Sequence, residues 1–153
     1  MKTLHEWFEE YGVSHKNVTN KKIHYICVPL IFFSVVGLFM SIPSAILSPL
    51  ASIHPIFANW AFIVLVFVLL FYFRLSIAMG IKMLLFIALC LIGNFFIAQT
   101  LPLAWFSLAL FAAGWIGQFY GHKIEGVKPS FIKDLQFLLI GPAWVIDNVL
   151  KTN

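Results

Sequence analysis

Two long stretches of this chain carry no charged side chain: positions 23–73 and 83–122 hold no Asp, Glu, Lys or Arg. An uncharged apolar run of 18 or more residues can cross the ~30 Å hydrocarbon layer of a bilayer as a helix of about 20 residues. Each stretch has room for two such helices. Spans are expected at 26–46, 56–73, 77–99 and 102–120, punctuated by Pro43, Pro49 and Pro55, by Arg74, and by Pro102. Apolar residues run around every face of these segments instead of alternating. That is the pattern of a helix in lipid or in a bundle, not of a barrel strand. The expected fold class is therefore all-α: a single membrane domain over 1–153, an integral membrane four-helix bundle with N-terminal and C-terminal interfacial or re-entrant helices.

The charges that do occur gather in three places: Lys2 to Lys22, Arg74 and Lys82 around a short break, and Lys123 to Lys151. With four crossings all three places fall on one side, and every Lys and Arg with them. By the positive-inside rule that side is cytoplasmic. The chain is 61% hydrophobic and only 10% charged, against about 25% charged in soluble domains. A soluble enzyme or a nucleic-acid module is thereby excluded, and the net charge of +4 becomes an orientation signal. The expected location is a bacterial inner membrane, or the endoplasmic reticulum membrane in a eukaryote, with both termini cytoplasmic.

The first apolar run begins too late for a cleaved leader. Cys27 and Cys90 lie in apolar runs and are expected to pack as small hydrophobes, not to form a disulfide. Residues 3–24 suit an interfacial helix followed by a polar stretch. Residues 131–150 suit an interfacial or re-entrant segment, with Pro142 expected to kink or stop a helix. Trp60, Trp105, Trp115 and Trp144 are expected to include interfacial belt positions.

Five histidines break this apolar background. His5 and His54 are assigned to solvated segments, His54 on the far side of the membrane. His15, His24 and His122 all fall at the cytoplasmic margin among other polar groups. Tyr11/His15 and Asn20/His24 are i, i+4 pairs, so each pair shares a helical face. Gln118, His122 and Glu125 follow i, i+4, i+7 spacing and form one stripe. Neutral imidazole is the commonest side chain for holding iron, zinc or copper. Two or three histidines with a carboxylate and open positions are what non-haem Fe(II) oxygen chemistry requires. Asn20 and Gln118 would suit hydrogen bonding behind the ligands. On spacing alone a second interpretation stays open, in which the same histidines face headgroups and Gln118 makes one interhelical hydrogen bond.

At these motifs the chain resembles a small membrane family, formerly a domain of unknown function, whose fungal members are Fe(II)-dependent 2-hydroxy fatty acid dioxygenases. The resemblance rests on Tyr11-x3-His15, Asn20-x3-His24 with Pro29 after it, and Trp115-x2-Gln118-x2-Gly121-His122-x2-Glu125-x3-Pro129. Tyr72-x2-Leu75, Gly80 and Gly141-Pro142 also fit, so it spans roughly residues 7–150. The resemblance implies α-oxidation, in which a 2-hydroxy fatty acid and dioxygen give a fatty acid one carbon shorter. It implies Fe(II) as cofactor, with His15, His24 and His122 as catalytic metal ligands and Glu125 as a fourth ligand or as a group orienting a histidine. Tyr11, Asn20, Gln118, Lys21, Lys22 and Lys123 would support the ligands or draw in the substrate's carboxylate. The partners implied are the 2-hydroxy acid and the lipid bilayer, with no nucleic acid. Diiron desaturases need about eight histidines and are set aside. A non-catalytic lipid-binding or scaffold protein is the alternative.

Overall fold

The structure, a computed structural model, describes residues 2–126 and 137–151. Among these it is helical throughout, with no strand. In chain order come α1 (Leu4–Gly12), α2 (Val18–Met40), 3-10 turns at Ala45–Ser52 and Pro55–Phe57, α3 (Trp60–Leu75), α4 (Ile77–Ile97), α5 (Leu103–Glu125) and α6 (Ile140–Lys151). The all-α expectation holds. Three helices, α2, α4 and α5, are long and apolar enough to cross a membrane, which supports a membrane protein.

The boundaries depart from expectation for local reasons. The first span begins at Val18, not 26, because the polar residues before Ile26 continue the same helix. It stops at Met40 because Pro43 disfavours helical backbone in the residue before it and the chain turns at Ser41 and Ile42. The expected span at 56–73 opens with a 3-10 turn, so α3 has 16 residues, a length of about 24 Å. At the other end Pro142 does not stop a helix. It lies in the first turn of α6, where a missing N–H costs nothing because that donor has no intrahelical partner anyway. Residues 131–136 of the expected C-terminal segment, and Lys128 and Pro129, lie outside the described residues.

The chain forms two compact units, Phe33–Leu110 and the combination of Met1–Phe32 with Phe111–Asn153. In the first, α3 and α4 make a hairpin around Ser76. This residue ends α3 in extended backbone and caps α4, its Oγ accepting from the Met79 N–H at 3.4 Å. Asn59 starts α3 by accepting from the Phe62 N–H at 2.9 Å. Asn94, fully buried, donates to the carbonyls of Cys90 (2.9 Å) and Phe33 (3.1 Å) and so ties α4 to α2.

In the second unit α2 and α5 run antiparallel. Gly114 faces Ile31, Gly117 faces Cys27, and Gly121 faces Asn20 and His24. A stripe of residues without Cβ allows the two backbones to approach closely where membrane helices meet. The ends of these helices, N-terminal for α2 and C-terminal for α5, are therefore brought side by side. α1 is started by a Thr3–Glu6 capping box and packs on α6, with the Tyr11 ring 5.2 Å from Trp144.

Candidate metal centre

The paired ends of α2 and α5 collect the three histidines that the sequence isolates. His24 comes from the second turn of α2, His122 from the last turns of α5, and His15 from the link between α1 and α2. All three are buried, with exposures of 3% for His15, 0% for His24 and 3% for His122. Their ring centroids lie 4.3 Å apart for His15–His24, 4.9 Å for His24–His122 and 5.5 Å for His15–His122. Each offers a ring nitrogen, and these nitrogens all lie within 4.8 Å of one another.

The main chain fixes which nitrogen faces the group. His15 Nδ1–H donates to the Tyr11 carbonyl at 2.7 Å, and His24 Nδ1–H donates to the Asn20 carbonyl at 3.0 Å. A carbonyl can only accept, so both Nδ1 atoms carry the proton and both Nε2 atoms keep a lone pair. Those two Nε2 atoms are buried and have no hydrogen-bond partner. Burial also holds the His15 imidazolium down to about 4, partly offset by the Tyr11 carbonyl, so the ring is neutral. Buried nitrogens left without a partner carry a desolvation cost unless something accepts their lone pairs. His15 and His24, each with Nδ1 bonded to a carbonyl and Nε2 bare, have the donor chemistry a metal ion needs, and a His122 ring nitrogen lies within 4.8 Å of theirs. These three histidines could hold one.

The expected supporting residues divide clearly. Asn20 is fully buried, and its Nδ2 donates to the Ser14 carbonyl (3.2 Å) and to Glu125 Oε2 (3.0 Å). The Glu125 carboxylate also accepts from the backbone N–H groups of Lys16 (2.9 Å) and Asn17 (2.9 Å). Glu125 is therefore aimed at the α1–α2 link and the start of α2, where a negative charge complements the helix dipole. It falls outside the group of three nitrogens. Of the two roles expected for it, this geometry fits the orienting one: it clamps the link that carries His15 to the helix that carries His122. Tyr11 is buried and its ring stacks on His15 at 4.3 Å and 9°. Gln118 is buried one turn before His122. Lys21 is half-buried and its charge is felt at His15, whereas Lys22 and Lys123 are exposed. His5 and His54 are exposed and are not among the three.

Of the four tryptophans expected to include belt positions, Trp115 and Trp144 do not have the exposure a belt residue needs. Both are buried, Trp144 at 5%. The Trp144 ring lies 5.5 Å from His15 and 6.0 Å from Tyr25, forming a wall of the site with Tyr11 and Phe137. Trp105, 72% exposed, suits the belt. The usable signal for Trp144 was Gly141-Pro142, which opens a helix as readily as it ends one.

Fold and site together define a class: an all-helical protein with membrane-length helices and a buried trio of histidines that could bind a metal ion at one end of an antiparallel helix pair. A family model described as 2-hydroxy-palmitic acid dioxygenase Mpo1-like matches residues 1–152, and the chain belongs to that family. No curated protein and no solved structure matches it.

Proposed function

We propose that the chain is an Fe(II)-dependent dioxygenase that converts 2-hydroxy fatty acids to fatty acids one carbon shorter, working at the cytoplasmic face of a membrane. The observation that carries this reading is the buried trio itself, with two lone pairs held ready by main-chain carbonyls, in a chain whose family is named for that activity. His15, His24 and His122 would hold the iron. Ferrous iron, when bound, supplies a redox-active centre at which dioxygen and substrate can meet.

The chain's own residues do the rest. Tyr11, Trp144 and Phe137 wall the trio and exclude water from it. Glu125 and Asn20 fix the link bearing His15. A long-chain hydroxy acid lies in the bilayer with its carboxylate at the headgroup level, and in the positive-inside orientation expected from the sequence the histidine-bearing ends of α2 and α5 would lie at that level. Lys21 is the cation best placed to attract that carboxylate.

Full-length protein purified in lipid nanodiscs tests the reading. Bound iron and turnover of 2-hydroxypalmitate to the C15 acid are measured for His15→Ala, His24→Ala and His122→Ala, with His5→Ala and His54→Ala as controls. Each of the three should lose most of its iron and its turnover, and the controls should keep both. Full iron occupancy and turnover in all three variants would refute the assignment, and stoichiometric zinc in active wild-type protein would refute the metal.

A further inference from the structure

Residues 41–59, which join α2 to α3, hold no Asp, Glu, Lys or Arg. The 3-10 stretch Ala45–Ser52 at their centre buries no residue. Ile46 is 76% exposed and Ile53 72%, and Ile42 is exposed as well. An apolar stretch that nothing covers, with no charge to hold it in solvent, marks a surface that meets an apolar partner.

The segment also satisfies its polar groups from within. Pro43, Pro49 and Pro55 have no N–H to pair. The N–H groups of Ile53 and His54 donate to the Leu50 carbonyl, those of Phe57 and Ala58 to the carbonyls of His54 and Pro55, and that of Ile56 to His54 Nδ1. Three of the four serines turn back on the chain: Ser41 Oγ donates to the Gly37 carbonyl (2.8 Å), Ser44 Oγ to Ala58 (2.8 Å) and Ser52 Oγ to Pro49 (2.7 Å). The Trp60 indole N–H donates to the Pro43 carbonyl at 3.0 Å, so this bond and that of Ser44 pin the two ends of the loop together. A loop in water can leave such groups to solvent. At the edge of hydrocarbon each unpaired one is costly.

The length of α3 is an independent sign. Its 16 residues span about 24 Å against a hydrocarbon layer of ~30 Å. With Arg74 in its last turn held at one interface, its first residue, Trp60, stops about 6 Å short of the other. The loop that enters α3 therefore starts below the surface of that leaflet.

We propose that residues 42–58 form an interfacial segment embedded in the leaflet at the end of α2 away from His24, with Ile42, Ile46 and Ile53 among the lipid acyl chains. The partner is the lipid surface, into which such elements sink by about 5–10 Å, enough to make up the shortfall of α3. The segment thereby sets the depth of the α3–α4 hairpin. His54, assigned from the sequence to a solvated stretch, sits at this boundary with its ring against Phe57 and Phe95. None of this depends on the dioxygenase reading.

Full-length protein in nanodiscs, one copy in each, tests the proposal. Ile46→Cys, Ile53→Cys and Glu9→Cys are reacted with a charged, water-soluble maleimide, with wild type giving the background from Cys27 and Cys90. The Glu9 side chain is 69% exposed, so protein packing leaves all three sites equally open and only lipid can separate them. The two loop cysteines should label about tenfold more slowly than Glu9→Cys in nanodiscs, and at the same rate once the protein is denatured in SDS. In wild-type protein carrying 13C-methyl isoleucine, a nitroxide on the lipid acyl chain should broaden Ile46 and Ile53 as strongly as Ile92, an exposed residue of the membrane-length α4. Loop cysteines that label as fast as Glu9→Cys overturn the proposal. Slow labelling without broadening by the nitroxide also overturns it, because protein and not lipid would then cover the loop.

Discussion

Gly121 offers the sharpest test of how closely α2 and α5 approach at the site. A Cβ added there would collide with Asn20 Oδ1 and come within 3.3 Å of His24 Cε1. Neither neighbour can retreat cheaply. Asn20 is fully buried and held by bonds to Ser14 and Glu125, and His24 is fully buried and held by the Asn20 carbonyl. Forcing an extra methyl into such packing costs about 1–3 kcal/mol, and displacing Asn20 sacrifices a hydrogen bond to a carboxylate worth about 1.5–3 kcal/mol. Alanine returns about 1 kcal/mol through its better helix propensity. Gly121→Ala should therefore destabilise the protein by about 2–4 kcal/mol, seen as a fall of roughly 5–15 °C in the thermal midpoint in nanodiscs. Because the shift falls on the residues behind the histidines, iron affinity should drop about 10–100-fold. Gly12→Ala is the control: its Cβ would meet only Trp144 Nε1 at 3.9 Å, and its midpoint should stay within about 2 °C of wild type. Adding Gly121→Ala to an Asn20→Ala background should cost much less than adding it to wild type, since the colliding atom is gone. An unchanged midpoint and unchanged iron affinity in Gly121→Ala would refute the close approach.

Two further perturbations address the site's supports. Glu125→Ala removes the acceptor for the Lys16 and Asn17 N–H groups, so hydrogen exchange at those two amides should accelerate at least tenfold. Glu125→Gln keeps an acceptor oxygen and should fall between, and equal exchange in all three proteins would refute the clamp. Trp144→Ala should lower stability by about 3–5 kcal/mol and strip iron, because Trp144 is buried against Tyr11 and His15. Trp105→Ala, exposed, should change stability by less than about 0.5 kcal/mol; equal effects from the two would refute the placement of Trp144.

Much of the fold is legible because lipid-length helices are recorded in the absence of charge, which needs no knowledge of tertiary contacts. That is why Ile77–Ile97 is found almost to the residue. Ends set by local competition are harder. Whether Pro142 stops a helix or starts one depends on which side the chain continues from, and the residues alone allow both. His24 and His122 are legible because i, i+4 and i, i+7 spacings are properties of a single helix; His15 is not, since α1 ends at Gly12 and His15 lies in the link, where its ring still stacks on Tyr11. The wall supplied by Trp144 and the bonds from Glu125 to Lys16 and Asn17 join residues more than a hundred positions apart. No periodicity encodes such a pairing, so the sequence offered Glu125 two roles and left Trp144 as one of four candidates for the belt.

The two carbonyls that set the imidazole tautomers belong to the main chain, at Tyr11 and Asn20. Every amino acid brings the same carbonyl to those positions. Mutation can therefore change how the rings pack or how tightly the link is held, while the nitrogens of His15 and His24 that face the site keep their lone pairs. The coordinating capacity of the site is inherited with the helical backbone, and the side chains around it are left free to diverge toward different substrates.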